Sequence, residues 1–569
     1  MKVNIKQFVQ DRWTAEQNQT NKYIEGYIVT DEPFFFDGPV TRQVAVVDFN
    51  PDTGTVEPGA KFEPQDKGHK LGRYAIKDEH DLNARDLNLV CVFGTVFHTI
   101  QMFQEKESLG RPVGWAFNAP QLLVIPRAGE MANAYYERDS HSLQFFYFEH
   151  PKKAGQIVYT SQSRDIITHE TSHAILDGIA PALYNAITPQ SLALHEGFAD
   201  LMALLSSFES QELRVRALAK TGGTLDCSND FSELANEFGE ALDRTNLKHY
   251  LRDLYNQKTL DPNDISNRVA RNEPHELCQV LTGALYAVMV QLHKERSAQI
   301  AYREQISEFS ASGKALAISA GKFKRRLVRA LDYLPQGEVS FADYGRAILT
   351  VDKFTHPDEQ TNTVRRVLID EFVRRKIVPN PDTLKVKFSS DVAAVKALNL
   401  PELMESDWVA YQFANKNREL LHIPPGVDFK VAPRLDVRKT YWPEGEEKVV
   451  RECLLKVSWY TTEANNLGSL YPVNRKIQVG TTLAIDWETK EIHSLLTTDH
   501  AADLEGEDQR KDRTEFLRKM ANDGILRAAS QTDPYGKELS STVNYETPDN
   551  IMRVIGAAKM LHIVDTERM

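Results

Sequence analysis

Two histidines four residues apart, His169 and His173, flank Glu170-Thr171-Ser172, a spacing that suits one metal ion. On a helix, residues i and i+4 share a face with Cβ atoms about 6 Å apart, so both imidazoles can reach a single ion. Glu170 then falls beside the ion, where a carboxylate takes a proton from a metal-activated water. It is expected as the general base and not as a ligand. Catalytic zinc commonly takes three protein ligands and leaves a fourth position open. Glu196, 23 residues beyond His173, fits the third place. Asp200, four residues further on the same face, is placed to accept the outer N–H of a ligating histidine and fix its tautomer. Asp177 is grouped with it as a carboxylate behind the ligands. The expectation is one zinc ion on His169, His173 and Glu196.

These groups need two consecutive helices to hold them. Ile166, Ile167, Ile175 and Leu176 surround the first with apolar positions, the pattern of a buried helix. Unpaired His, Glu and Asp side chains would be costly there, which weighs against a merely solvated polar face. Gly178 and Pro181 read as its stop, and Thr188-Pro189 as the cap and first-turn proline of the second.

The combination resembles the thermolysin-like zinc peptidases of the gluzincin group, in which His-Glu-x-x-His is completed by the Glu of a Glu-x-x-x-Asp segment. The resemblance covers about residues 85 to 378. It implies an α+β, two-lobe peptidase domain, with a β-rich upper lobe carrying the zinc helix and a helical lower lobe. It also implies Tyr184 and His275 as the residues that steady the oxyanion. Asn133-Ala134-Tyr135-Tyr136 resembles the family's substrate-binding edge strand, and Arg252 falls where the family binds a substrate carbonyl. Two positions depart from the family. Ala270 replaces the aspartate that orients the oxyanion histidine. Ser207 and Phe208 stand where acidic calcium ligands would be, although Asp165 matches one such ligand. Calcium is therefore not expected.

The implied reaction is hydrolysis of peptide bonds, with endopeptidase action favoured. Gly129-Glu-Met-Ala-Asn133 leaves open an aminopeptidase of the one-zinc type, with Ala132 in place of that group's amine-binding glutamate. A catalytically weak metal-binding scaffold is the remaining alternative.

At 569 residues the chain has room for several cores, and its formal charge of −12 argues against a nucleic-acid surface. No run approaches eighteen apolar residues, so no membrane partner is expected. The charged segment Met1 to Asp11 has no signal-peptide stretch, and Cys91, Cys227, Cys278 and Cys453 are scattered without metal-ligand spacing. Both favour a cytoplasmic setting, with non-standard export as the alternative. The organisation reads as a β-rich region over 1–84, the peptidase domain over 85–378, and an α+β module over 381–569 whose role and oligomeric consequences the residues do not disclose.

Overall fold

The structure, a computed structural model, describes residues 2–12, 23–29, 32, 34–67, 71–78, 81–243, 250–355, 363–385, 392–441, 447–498, 504–528 and 542–562. It is a mixed α+β architecture. Strands β1 (Lys2–Phe8) and β2 (Tyr23–Val29) pair antiparallel. Strands β3 (Val44–Val46), β4 (Phe62–Pro64) and β5 (Leu71–Tyr74) follow, and β2–β1–β5–β4 form one sheet. Helix α1 (Arg85–Gln104) packs on β1. By length and composition alone it could cross a membrane, yet its side chains are almost all buried between protein elements.

A second sheet positions the site. Strands β6 (Leu122–Ile125), β7 (Ala134–Glu137) and β8 (Ser142–Phe145) join β3 in the order β3–β6–β8–β7, which leaves β7 at an edge. The Phe146 N–H donates to the Asn133 carbonyl, so alternate residues from Asn133 face β8. The main-chain groups of Ala134 and Tyr136 consequently face the free edge.

Beneath this edge lies helix α2 (Arg164–Ile179), buried on nearly every face. Such a helix must satisfy its own polar side chains. The Thr171 hydroxyl donates to Ile167 O at 2.6 Å and the Ser172 hydroxyl to Thr168 O at 2.7 Å. Ser163 caps its first turn by accepting from the Ile166 N–H. At the far end, a Cβ on Gly178 would stand 1.9 Å from Gly114 O, so only glycine lets the helix end pack there.

Helix α3 (Pro189–Glu209) crosses α2. Thr188 does not cap it with its side chain. The buried Glu338 carboxylate accepts the Ile187 and Thr188 amides at 3.0 and 2.8 Å instead, and the Thr188 hydroxyl accepts from Arg513. An acceptor from 150 residues away thus fixes the chain entering α3, without accepting from the first-turn amides.

The short helix α4 (Asn236–Leu242) packs Phe238, Ala241 and Leu242 with Ala132, Phe148 and Val158. Helices α5 (Pro274–Glu304), α6 (Glu308–Tyr333), α7 (Phe341–Thr355) and α8 (Thr363–Arg374) build a helical layer on the other side of α3. Strands β9 (Phe429–Tyr441), β10 (Lys448–Ala464), β11 (Asn474–Asp486) and β12 (Ile492–Thr497), helix α9 (Leu504–Asn522), and strands β13 (Leu526–Ala528), β14 (Val543–Glu546) and β15 (Ile551–Ile555) complete the chain. Among the described residues these strands form a sheet ordered β9–β10–β11–β15–β14–β13, with β12 also on β11. One apolar core runs from Val3 to Leu561, so the three regions of the sequence are packed as one body of contacts.

A buried polar knot joins the last sheet to α6. Glu452 accepts from the Tyr333 hydroxyl at 2.9 and 3.0 Å, pairs with His493 at 2.8 Å, and lies 3.3 Å from Lys439. Burial would raise its pKa, but the Lys439 charge and the bonds from His493 and Tyr333 hold it at about 2. A depressed acid stabilises the fold above its unfolded value, and that contribution disappears as pH falls from about 4.5 through about 2. Glu452→Gln should therefore lose about 3 kcal/mol at neutral pH. Thermal midpoints of variant and wild type, followed down to pH 2, should converge; parallel curves would show that Glu452 is not the linked group.

Candidate metal centre

The crossing of α2 and α3 brings His169, His173 and Glu196 onto one point. His169 Nε2 and His173 Nε2 are 3.0 Å apart, His173 Nε2 is 3.2 Å from Glu196 Oε1, and His169 Nε2 is 3.5 Å from Glu196 Oε2. Donors held tetrahedrally at 2.0–2.1 Å from one ion stand about 3.3 Å from each other. The three side chains therefore fit a metal ion as they are placed, and they are the one His/Cys/Asp/Glu group of that kind among the described residues.

The electrostatics follow from burial. Desolvation pulls the His169 imidazolium down, but hydrogen bonds to Asp200 and Glu196 override it and raise the pKa to about 10. Burial lowers His173, and its bond to Glu196 only partly offsets this. Burial raises Glu196, yet His275, His169 and His173 hold its carboxylate well below the usual range. An entering cation must displace a proton from this set.

Behind the ligands, Asp200 Oδ1 is 2.9 Å from His169 Nδ1, and Arg252 donates to both Asp200 oxygens at 2.8 Å. That chain turns His169 Nε2 toward the ion position. His173 has its own support, absent from the sequence reading: its Nδ1 lies 2.6 Å from Nδ1 of buried His195. With Nε2 serving the ion, His173 Nδ1 carries the proton and His195 accepts it, which requires neutral His195 protonated at Nε2. The adjacent letters His195-Glu196 were the only signal, and their helical positions do not announce a partner on α2. His195→Ala should weaken metal binding about 10- to 100-fold. His195→Asn, which restores an acceptor, should recover part of the loss; equal affinity in all three proteins, measured by competitive chelator titration, would remove His195 from this role.

Glu170 stands beside the ligands and accepts the Tyr136 N–H from the free edge of β7 at 3.0 Å. Burial pushes its carboxyl up to about 8, although the neighbouring His169 charge pulls the other way.

A cavity of ≈ 330 Å³ opens onto these groups. Asn133, Ala134, His169, Glu170, His173, Glu196, Asp200, Arg252 and His275 all line it. Leu234, Phe238 and Leu242 give it an apolar wall. The Asn133 side chain accepts from the Ala134 N–H at 2.9 Å. His275 Nε2 approaches Glu196 Oε2 at 3.6 Å, and its Nδ1 lies 3.4 Å from Glu273 Oε1. Glu273 thus supplies the carboxylate that Ala270 cannot. Asp165, also at the wall, is occupied by the Ser207 hydroxyl and the Ala235 N–H at 3.1 and 3.2 Å.

Tyr184 and Asp177 are not brought to the cavity. Arg138 binds Asp177 and the Pro181 carbonyl and lays its guanidinium 4.0 Å over the Tyr184 ring, while the Tyr136 hydroxyl donates to Asp177 at 2.8 Å. This cluster ties the end of α2 to β7 and keeps Tyr184 beneath Arg138. Arg252 lines the cavity but is anchored on Asp200.

No protein-family model matches the chain, and no curated protein matches it.

Proposed function

We propose that this chain is a zinc metallopeptidase, with the ion held by His169, His173 and Glu196. The observation that carries this reading is the convergence of those three groups beside Glu170, in a cavity bordered by the free edge of a sheet. Two imidazoles and a carboxylate are donors that zinc takes in hydrolytic sites. When bound, the ion would polarise a carbonyl and lower the pKa of a coordinated water to about 7.

The chain's own residues supply the rest. A substrate lying along β7 would donate its own N–H groups to the main-chain carbonyls of Ala134 and Tyr136, whose N–H groups are taken by the Asn133 side chain and Glu170. Glu170, fixed through Oε2 to the Tyr136 amide, keeps Oε1 for taking a proton and passing it to the leaving amine. His275, with Glu273 at its other nitrogen, would donate to the carbonyl oxygen as charge develops on it, a contact worth about 10²- to 10³-fold in rate. The sheet and zinc helix on one side of the cleft and α5 to α8 on the other support assigning residues 85–378 to a thermolysin-like, two-lobe domain.

Metal analysis together with a peptide-library digest, with and without chelator, tests the reading. About one equivalent of zinc and cleavage that stops on chelation are expected. A protein without bound metal, or cleavage indifferent to chelator, would overturn it.

A further inference from the structure

We infer that residues 557–562 wall off one end of the cleft, so that this protein cuts peptides near a chain end and not deep within them. The inference rests on the peptidase reading and names its substrate class.

Contacts fix how the cleft runs. Asn133 shares the cavity wall with Asp165 and Ile166 near the start of α2, Tyr136 meets Glu170 at its middle, and Arg138 meets Asp177 near its end. Strand β7 and helix α2 therefore run side by side in the same direction, with the metal ligands between two ends. At the Asn133 end the cavity continues between the apolar residues of α4 and β7.

At the other end stands the helical turn Ala557–His562, which packs on both β7 and the turn Pro181–Asn185. Three separate contacts hold it. The Gly556 N–H donates to Asn185 Oδ1 at 2.8 Å, Lys559 pairs with Asp139 at 2.7 Å, and Ala557 and Ala558 are buried. Leu561 reaches the cavity that holds the metal ligands.

The spacing sets the limit. Tyr136, which holds Glu170, is three residues from Asp139, which holds Lys559; β7 ends at Glu137 and Asp139 lies in the turn that follows, so the two stand at most about 10 Å apart. A substrate laid along β7 thus meets the wall within about three residues of the cleaved bond. Longer chains enter only with a terminus toward residues 557–562. This shifts the expectation from an endopeptidase toward an enzyme that removes single residues or short peptides from one end.

The test uses full-length protein and a peptide series of constant core sequence, extended stepwise at either end, with products mapped by mass spectrometry. Wild type should cut only bonds within about three residues of one terminus. Opening the wall with Lys559→Glu and Leu561→Ala together should move cleavage inward by about one to two residues. Asp139→Lys added to Lys559→Glu re-forms the ion pair and should return the wild-type pattern. Wild-type cleavage of bonds far from both ends, or one product pattern in every variant, overturns the inference and leaves the peptidase reading standing. A Lys559→Glu protein that loses all cleavage without recovery by the swap also overturns it, because the segment would then serve folding. Failure of wild type to cut any peptide overturns the peptidase reading and this inference together.

Discussion

Glu170→Gln is expected to lower peptide hydrolysis by about 10²- to 10⁴-fold while metal content stays unchanged. The substitution is nearly isosteric, and its amide oxygen can still accept the Tyr136 N–H that Glu170 accepts at 3.0 Å. The contact between β7 and α2 therefore survives. What disappears is the capacity to take a proton. Ligand loss would not follow, since the proposed metal donors are His169, His173 and Glu196 and Glu170 lies beside them. Stability should not fall either. Burial pushes the Glu170 carboxyl up to about 8, so ionising it opposes folding, and a neutral amide removes that opposition. The same burial shapes the pH profile. Hydrolysis by wild type should rise with pH as Glu170 loses its proton, with an ascending limb at or below about 8 because a bound cation would favour the carboxylate. Turnover and metal content measured on both proteins decide the matter. Equal turnover in Glu170→Gln would remove Glu170 from the chemistry and point to another catalyst.

The parts legible in the sequence were those whose cause is local. Helical spacing put His169 over His173 and Glu196 over Asp200, and the Gly178 and Pro189 signals marked where α2 ends and α3 begins. Contacts made across the chain were not legible in this way. His195 meets His173 because two helices cross, Glu338 reaches the start of α3 from another layer, and Leu561 arrives at a cavity whose other walls lie far back in the sequence. Neither periodicity nor turn chemistry encodes such meetings. Tyr184 shows the converse limit. Its spacing from His173 is that of the family it resembles, but Arg138, drawn to Asp177, covers its ring. Ala270 is instructive in the opposite sense: the aspartate expected there is absent, yet Glu273, two residues before His275, stands at the same ring nitrogen.

Glu196→Ala should abolish metal binding and hydrolysis together, and with them the stabilisation that metal confers. In wild type, an ion present at about a thousand times its dissociation constant adds about 4 kcal/mol to the folded state. The thermal midpoint should accordingly climb on titration with zinc in wild type and stay level in the variant. The physical reason lies in how much charge Glu196 gathers. Its two oxygens stand 3.2 to 3.6 Å from His173, His169 and His275, so it is the group through which the two helices and α5 meet at the ion position. Alanine leaves two imidazoles with no anion between them, although Asp200 and Arg252 still hold each other behind His169. Proton release supplies a second reading of the same event. His169 is held up to about 10 by Asp200 and Glu196 against the pull of burial, so zinc binding at neutral pH must expel a proton, and weakly buffered wild type should acidify on zinc addition where the variant does not. A midpoint rise of equal size in both proteins would place the ion elsewhere. Buried charge of this density is a poor way to stabilise a fold, and the surrounding core offsets its cost. On the proposed reading a cation replaces the proton that His169 carries at the crossing of α2 and α3, and the two titrations measure that exchange directly.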